Sequence, residues 1–186
     1  MSIWNPAVSW TALELLSGPG VTTATAELVE RARAKLASST VEEIAAGVVT
    51  RTAVINLEVP SGRPVDGRSD LTAIKAELAA LRSELVLTAG SADSQLETDL
   101  AHNFYAVDGY LPDNVDYSDF VEKHGLINSG DGARVRIWAK PEGFSWGAAG
   151  YAPAGVIAAD LMAGWSTREV SAGRAALQRM LNEYRS

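Results

Sequence analysis

The chain has no cysteine. That removes disulfides, thiolate zinc sites, iron–sulfur clusters and cysteine nucleophiles from consideration. Histidine is nearly absent too, with only His102 and His124 available as imidazole bases or ligands. Lysine is confined to Lys35, Lys75, Lys123 and Lys140, so most of the positive charge is arginine. With abundant alanine, that bias points to a GC-rich bacterial or phage genome. No run approaches the ~18 consecutive apolar residues of a spanning helix. The first residues, MSIWNPAVSWTALELLSG, carry neither a basic stretch nor a long apolar core, so no signal peptide is expected. The expected location is the cytoplasm or a virion, with no membrane contact.

What is present is ordinary for a globular chain. Apolar residues make up 47% and charged residues 21% of 186 positions, enough for a core and too apolar for general disorder. A net charge of −7 repels nucleic acid and anionic lipid at long range, so a nucleic-acid partner is not expected. The length suits a single domain over 1–186, with a possible internal boundary at the Pro/Gly-rich loop 60–67.

Local signals predict mostly helices. Thr11 with Glu14, Ser39 with Glu42, Ser94 with Glu97 and Ser166 with Glu169 each have capping-box spacing. They predict helices after each, the third running from Ser94 to about Val107. Further helices are expected over 24–37, 117–124 and from Pro153 to Met162. Two stretches alternate like strands. Residues 52–59 put Ala53, Ile55, Leu57 and Val59 on one face, although a continued helix would also fit. In 133–140, Ala133, Val135, Ile137 and Ala139 alternate with Arg134, Arg136, Trp138 and Lys140. Pro141-Glu142-Gly143 then predicts a turn that pairs Phe144 and Trp146 back, an antiparallel hairpin over 133–147. The expected fold class is α+β, helix-dominated, with that small hairpin and a possible further strand at 52–59.

The most regular pattern is a seam of Leu71, Ile74, Leu78, Leu81 and Leu85, spaced three and four apart. Glu77 and Arg82 flank it where a parallel partner helix would pair charges, with Lys75 and Glu84 beside them. The seam serves either an internal core or a contact between copies. The Arg134, Arg136, Trp138 and Lys140 face is either a solvent face, a stacking platform, or a contact with an acidic protein surface such as the chain's own Asp-rich segment. Asp99 lies one turn before His102 in the helix expected there, an Asp–His pair without a recognisable nucleophile. The acidic stretch around Asp113, Asp116 and Asp119 lacks calcium-loop spacing, and Gly147–Gly150 lacks the lysine of a phosphate loop. No cofactor, metal or catalytic residue is therefore assigned. The leading expectation is a non-enzymatic oligomeric structural or assembly protein, for example a phage virion or head–tail component. Its partners would be itself or other protein subunits. The alternatives are a small enzyme or ligand-binding domain using Asp99 and His102, and an acidic inhibitor or immunity protein.

Overall fold

Asn5 and Pro6 start the first helix. The Asn5 side chain accepts the Ala7 N–H, and the proline occupies a position whose own N–H would be unpaired. The computed structural model describes residues 4–49, 54–101, 103–130, 133–147, 150–164 and 166–186. Among them are seven α-helices and six strands of one mixed sheet, which replaces the expected small antiparallel hairpin. The helices are α1 (Pro6–Leu16), α2 (Ala26–Leu36), α3 (Val41–Val49), α4 (Leu71–Glu84), α5 (Tyr117–Lys123), α6 (Ala154–Met162) and α7 (Thr167–Arg185). The strands are β1 (Val54–Glu58), β2 (Val86–Leu87), β3 (Val107–Tyr110), β4 (Ile127–Asn128), β5 (Val135–Trp138) and β6 (Gly150–Tyr151). Their spatial order is β4-β1-β5-β3-β2-β6.

β5 lies in the interior of the sheet. It runs antiparallel to β1, pairing Ile137 with Ile55, and parallel to β3, pairing Arg136 with Asp108. Phe144 and Trp146 do not pair back beside it. Their rings join those of Trp10 and Tyr110, Trp146 lying 5.5 and 4.8 Å from them. The alternation in 133–140 identified a strand but not its partners, which come from distant parts of the chain. β1 matches the second alternating stretch from Val54 onward; residues 52 and 53 lie outside those described.

Among the described residues the expected helix from Ser94 to Val107 does not form. A 3₁₀ turn spans Asp93–Gln95, and Glu97 takes φ 52°, a left-handed conformation that stops helix propagation. The described residues 98–101 and 103–106 then form an irregular strap leading into β3. Two other capping boxes also move. Thr40 and Glu43 cap α3, one residue later than Ser39 and Glu42, and Thr11 sits inside α1 with its hydroxyl donating to the Ala7 carbonyl. The Ser166–Glu169 box forms as expected at the start of α7.

The two faces of the sheet differ. Leu57, Val135 and Val107 stand in one cross-strand row, all buried, on the face that receives Leu85 at the end of α4. The opposite face carries Tyr110 and Trp138, and is covered by α1 and α6 through the Trp10 ring and Asp160. Backbones approach closely in this helical layer. A Cβ on Gly155 of α6 would stand 2.3 Å from the Leu13 carbonyl of α1, and one on Gly173 of α7 would stand 2.5 Å from the Ala158 carbonyl of α6.

Candidate functional site: a polar row on the covered sheet face

Strand register builds the site. Asn56 of β1, Arg136 of β5 and Asp108 of β3 are direct cross-strand neighbours, so their side chains share one face. Thr88 extends the row, its N–H donating to the Asp108 carbonyl at 3.0 Å. This polar row lies beside the Tyr110–Trp138 row, on the face that faces helices rather than water.

Its charges are paired. Arg136 binds Asp108 in a fork, Nε to Oδ1 and a terminal nitrogen to Oδ2 at 2.8 Å. The Ser91 hydroxyl accepts the Asp108 N–H at 2.8 Å. Burial pushes the Asp108 carboxyl up, against the pull of Arg136. Burial also works against the Arg136 charge, but the Asp108 hydrogen bond and charge prevail and raise it. Behind this pair lies Asp160, 1% exposed. Its Oδ2 accepts hydrogen bonds from the Thr88 hydroxyl at 2.5 Å and the Tyr110 hydroxyl at 2.7 Å. Desolvation pushes Asp160 to about 7, although both hydroxyls favour its charged form. Tyr110 is raised well above its usual range by burial and by Asp160.

The row opens into a cleft of about 380 Å³ lined by Asn56, Arg136, Asn103, Ser166 and Glu169, with Ala106 and Ala133. A second lobe of about 290 Å³ shares Asn103, Ser166 and Glu169 and adds Asp93 and Gly90. A Cβ on Gly90 would stand 3.2 Å from Glu169 Oε1 and 3.9 Å from Asp108 Oδ2, so glycine leaves room for Glu169 to approach the row. Asn56 Oδ1 is shielded from solvent and has no hydrogen-bond partner among the described residues. The strap forms one wall. Arginines from three directions hold its carbonyls: Arg179 on Leu96, Arg168 on Asp99, Arg82 on Asn103 and Ala106, and Arg134 on Tyr105. An irregular segment has few backbone partners of its own, and guanidinium donors supply them here.

The residues singled out from sequence divide clearly. Ile74, Leu78, Leu81 and Leu85 are at most 1% exposed inside the core, whereas Leu71 is 53% exposed, so the seam is filled within the chain. Glu77 accepts the Ser61 hydroxyl at 2.7 Å and the Ser61 N–H at 3.2 Å, and Arg82 holds the strap, so both flanking residues have partners within the chain. Glu84 bonds Lys123 and His124, tying α4 to α5. Of the strand face, Arg136 and Lys140 meet the chain's own acids, Asp108 and Asp113, and Trp138 is buried. Asp99 is exposed beside Arg168, and His102 lies outside the described residues. Sequence reasoning missed Asp160, Tyr110, Thr88 and Asn56. One signal was available: Asp160 is the single charge in the otherwise apolar helix AGVIAADLM.

Among the described residues no group of three or more His, Asp or Glu side chains could hold a metal ion, and no helix is long and apolar enough to cross a membrane. Comparison with protein-family models, with curated proteins and with solved structures finds no match to this chain.

Proposed function

We propose that the chain is a ligand-binding domain that takes a small polar molecule in the cleft at the end of the Asn56–Arg136–Asp108 row. The observation that carries this reading is the row itself. Burying an ion pair on a sheet face costs desolvation that apolar side chains would avoid, and perturbed carboxyls beside a cleft are characteristic of working sites. Asn56 adds a shielded acceptor without a partner, a group that a ligand donor would satisfy. Asn56→Leu separates binding from folding. Removing an unsatisfied buried acceptor is close to neutral for stability. The variant is therefore expected to melt near the wild type while losing the shifts that a panel of polar metabolites produces in a thermal-denaturation screen. A panel that stabilises both proteins equally, or neither, sinks the proposal.

A second reading keeps the oligomeric structural or assembly protein but moves it off the seam. Ile127 and Tyr151, 39% and 51% exposed, sit on the two edge strands β4 and β6, where another strand could add. Light scattering decides it: a mass of one chain at high concentration removes this reading.

A further inference from the structure

The two ends of the polar cleft ask for different chemistry. At the β1 end, Asn56 Oδ1 is a shielded acceptor without a partner among the described residues. Beside it, Arg136 spends Nε and one terminal nitrogen on Asp108, and its other terminal nitrogen makes no hydrogen bond among the described residues. An acceptor and a charged donor thus stand on neighbouring strands, spaced about 5 Å apart. On the strap, Asn103 Oδ1 takes the Tyr105 N–H at 2.9 Å, which leaves its amide nitrogen as a second donor lining the cleft. At the α7 end the surplus is in acceptors. Glu169 gives Oε2 to the Ser166 N–H at 3.2 Å, while Oε1 has no hydrogen bond or ion pair among the described residues. The Arg136 charge reaches Glu169, but its hydrogen bonds go to Asp108, which Arg82 attracts as well. Glu169 and Asp108 converge over Gly90, and their repulsion adds to the burial that pushes Asp108 up. Arg168 lines the same lobe but is turned to Asp99, whose carbonyl lies 3.4 Å away and whose carboxylate lies 3.9 Å away.

Resting on the reading of this cleft as a ligand site, we infer that its ligand is a basic α-amino acid of the lysine class. The carboxylate takes the free donors of Arg136 and Asn103, and the α-ammonium donates to Asn56 Oδ1. The side chain runs along the row into the second lobe, where its terminal ammonium meets Glu169 Oε1. The two lobes share Asn103, Ser166 and Glu169, so the path between the ends is continuous. The dimensions agree. Asn56 and Asp108 lie two strand spacings apart, about 10 Å, which an extended four-carbon side chain covers once a hydrogen-bond length is added at each end. Each end discriminates, because a molecule lacking the matching group leaves polar atoms of the cleft unpaired.

The test is a calorimetric titration with L-lysine at low ionic strength, beside two probes that each lack one end. Norleucine keeps the amino acid and loses the terminal ammonium. 1,5-Diaminopentane keeps the ammonium and loses the carboxylate. Each is expected to bind about tenfold more weakly than lysine, the size of one lost charge-assisted contact. Glu169→Gln keeps the capping box, which glutamine also completes, and removes the charge. With a melting temperature near the wild type, it should bind lysine and norleucine alike, whereas Asn56→Leu should weaken both. If Glu169→Gln melts lower, the comparison of the three ligands on the wild type decides alone. Norleucine or diaminopentane binding as tightly as lysine overturns the inference, and so does a folded Glu169→Gln that keeps the wild-type preference. Silence of lysine overturns it too, and the panel of polar metabolites then separates two failures. Shifts from other molecules that depend on Asn56 leave the cleft a ligand site with a different occupant, and no shifts at all remove both readings.

Discussion

A carboxyl group inside an apolar helix must either hold its proton or find strong donors. Asp160 does both, with two hydroxyls on Oδ2 and a pKa raised from 3.8 to about 7. Between those values the native state keeps a proton that the unfolded chain has released. Stability contributed by Asp160 is therefore full below pH 3.8, falls as pH rises, and is lost above about 7. The span corresponds to a loss on the order of 4 kcal/mol. Glu14 and Asp108, also raised by burial, tilt the total in the same direction, so the difference between proteins is what isolates Asp160. Asp160→Asn keeps an oxygen for Thr88 and Tyr110 but cannot titrate. Its unfolding free energy, measured by denaturant titration across this pH range, should lack most of the wild-type decline. Parallel pH profiles for the two proteins would show that Asp160 is charged in the fold.

At the scale of elements, local signals were legible where local chemistry decided the outcome. The Ser166–Glu169 box, the short helix expected over 117–124 and the three–four spacing of α4 all correspond to what forms. They failed where distant partners decided. Ser94 and Glu97 have capping spacing, yet the segment that follows becomes a strap because arginines on other elements capture its carbonyls. The hairpin failed for the same reason, since β5 finds β1 and β3 far away in sequence. The glycines between helices show what no periodicity reveals. Alanine normally favours a helix interior over glycine by about 1 kcal/mol. At Gly155 and Gly173 its methyl would collide with carbonyls of a neighbouring helix. Gly155→Ala and Gly173→Ala should each destabilise by roughly 1–3 kcal/mol, the usual cost of overpacking. Gly130→Ala, with nothing within 4 Å of the new methyl, should stay close to wild type in chemical denaturation. A stabilised Gly155→Ala would mean that α1 and α6 do not pack this closely.

For the whole molecule, the question is where its regular apolar seam is spent. A narrow stripe with charged flanks reads equally well as a helix meeting another copy and as a helix laid on its own sheet. The sequence could not separate the two, because the answer depends on a sheet assembled from strands at β1, β3 and β5. Four of the five seam residues lie in the core, and the flanking acids are engaged at home: Glu77 with Ser61, Glu84 with Lys123 and His124. The candidate site was hidden for the same reason. Asn56, Asp108 and Arg136 become neighbours only through that register. Reversing Glu77 and Glu84 together, to lysine, therefore tests the fold rather than an assembly. Glu84→Lys places a second cation against Lys123 and removes the partner of the His124 ring, and Glu77→Lys removes the acceptor for the Ser61 N–H and hydroxyl. Each lost charge-assisted bond is worth about 1–2 kcal/mol, reduced at Glu84 by solvent. The double variant should melt several degrees lower with its light-scattering mass unchanged. If the melting temperature holds while a multimer dissociates, the flanks face another chain and the internal seam is the wrong account of α4.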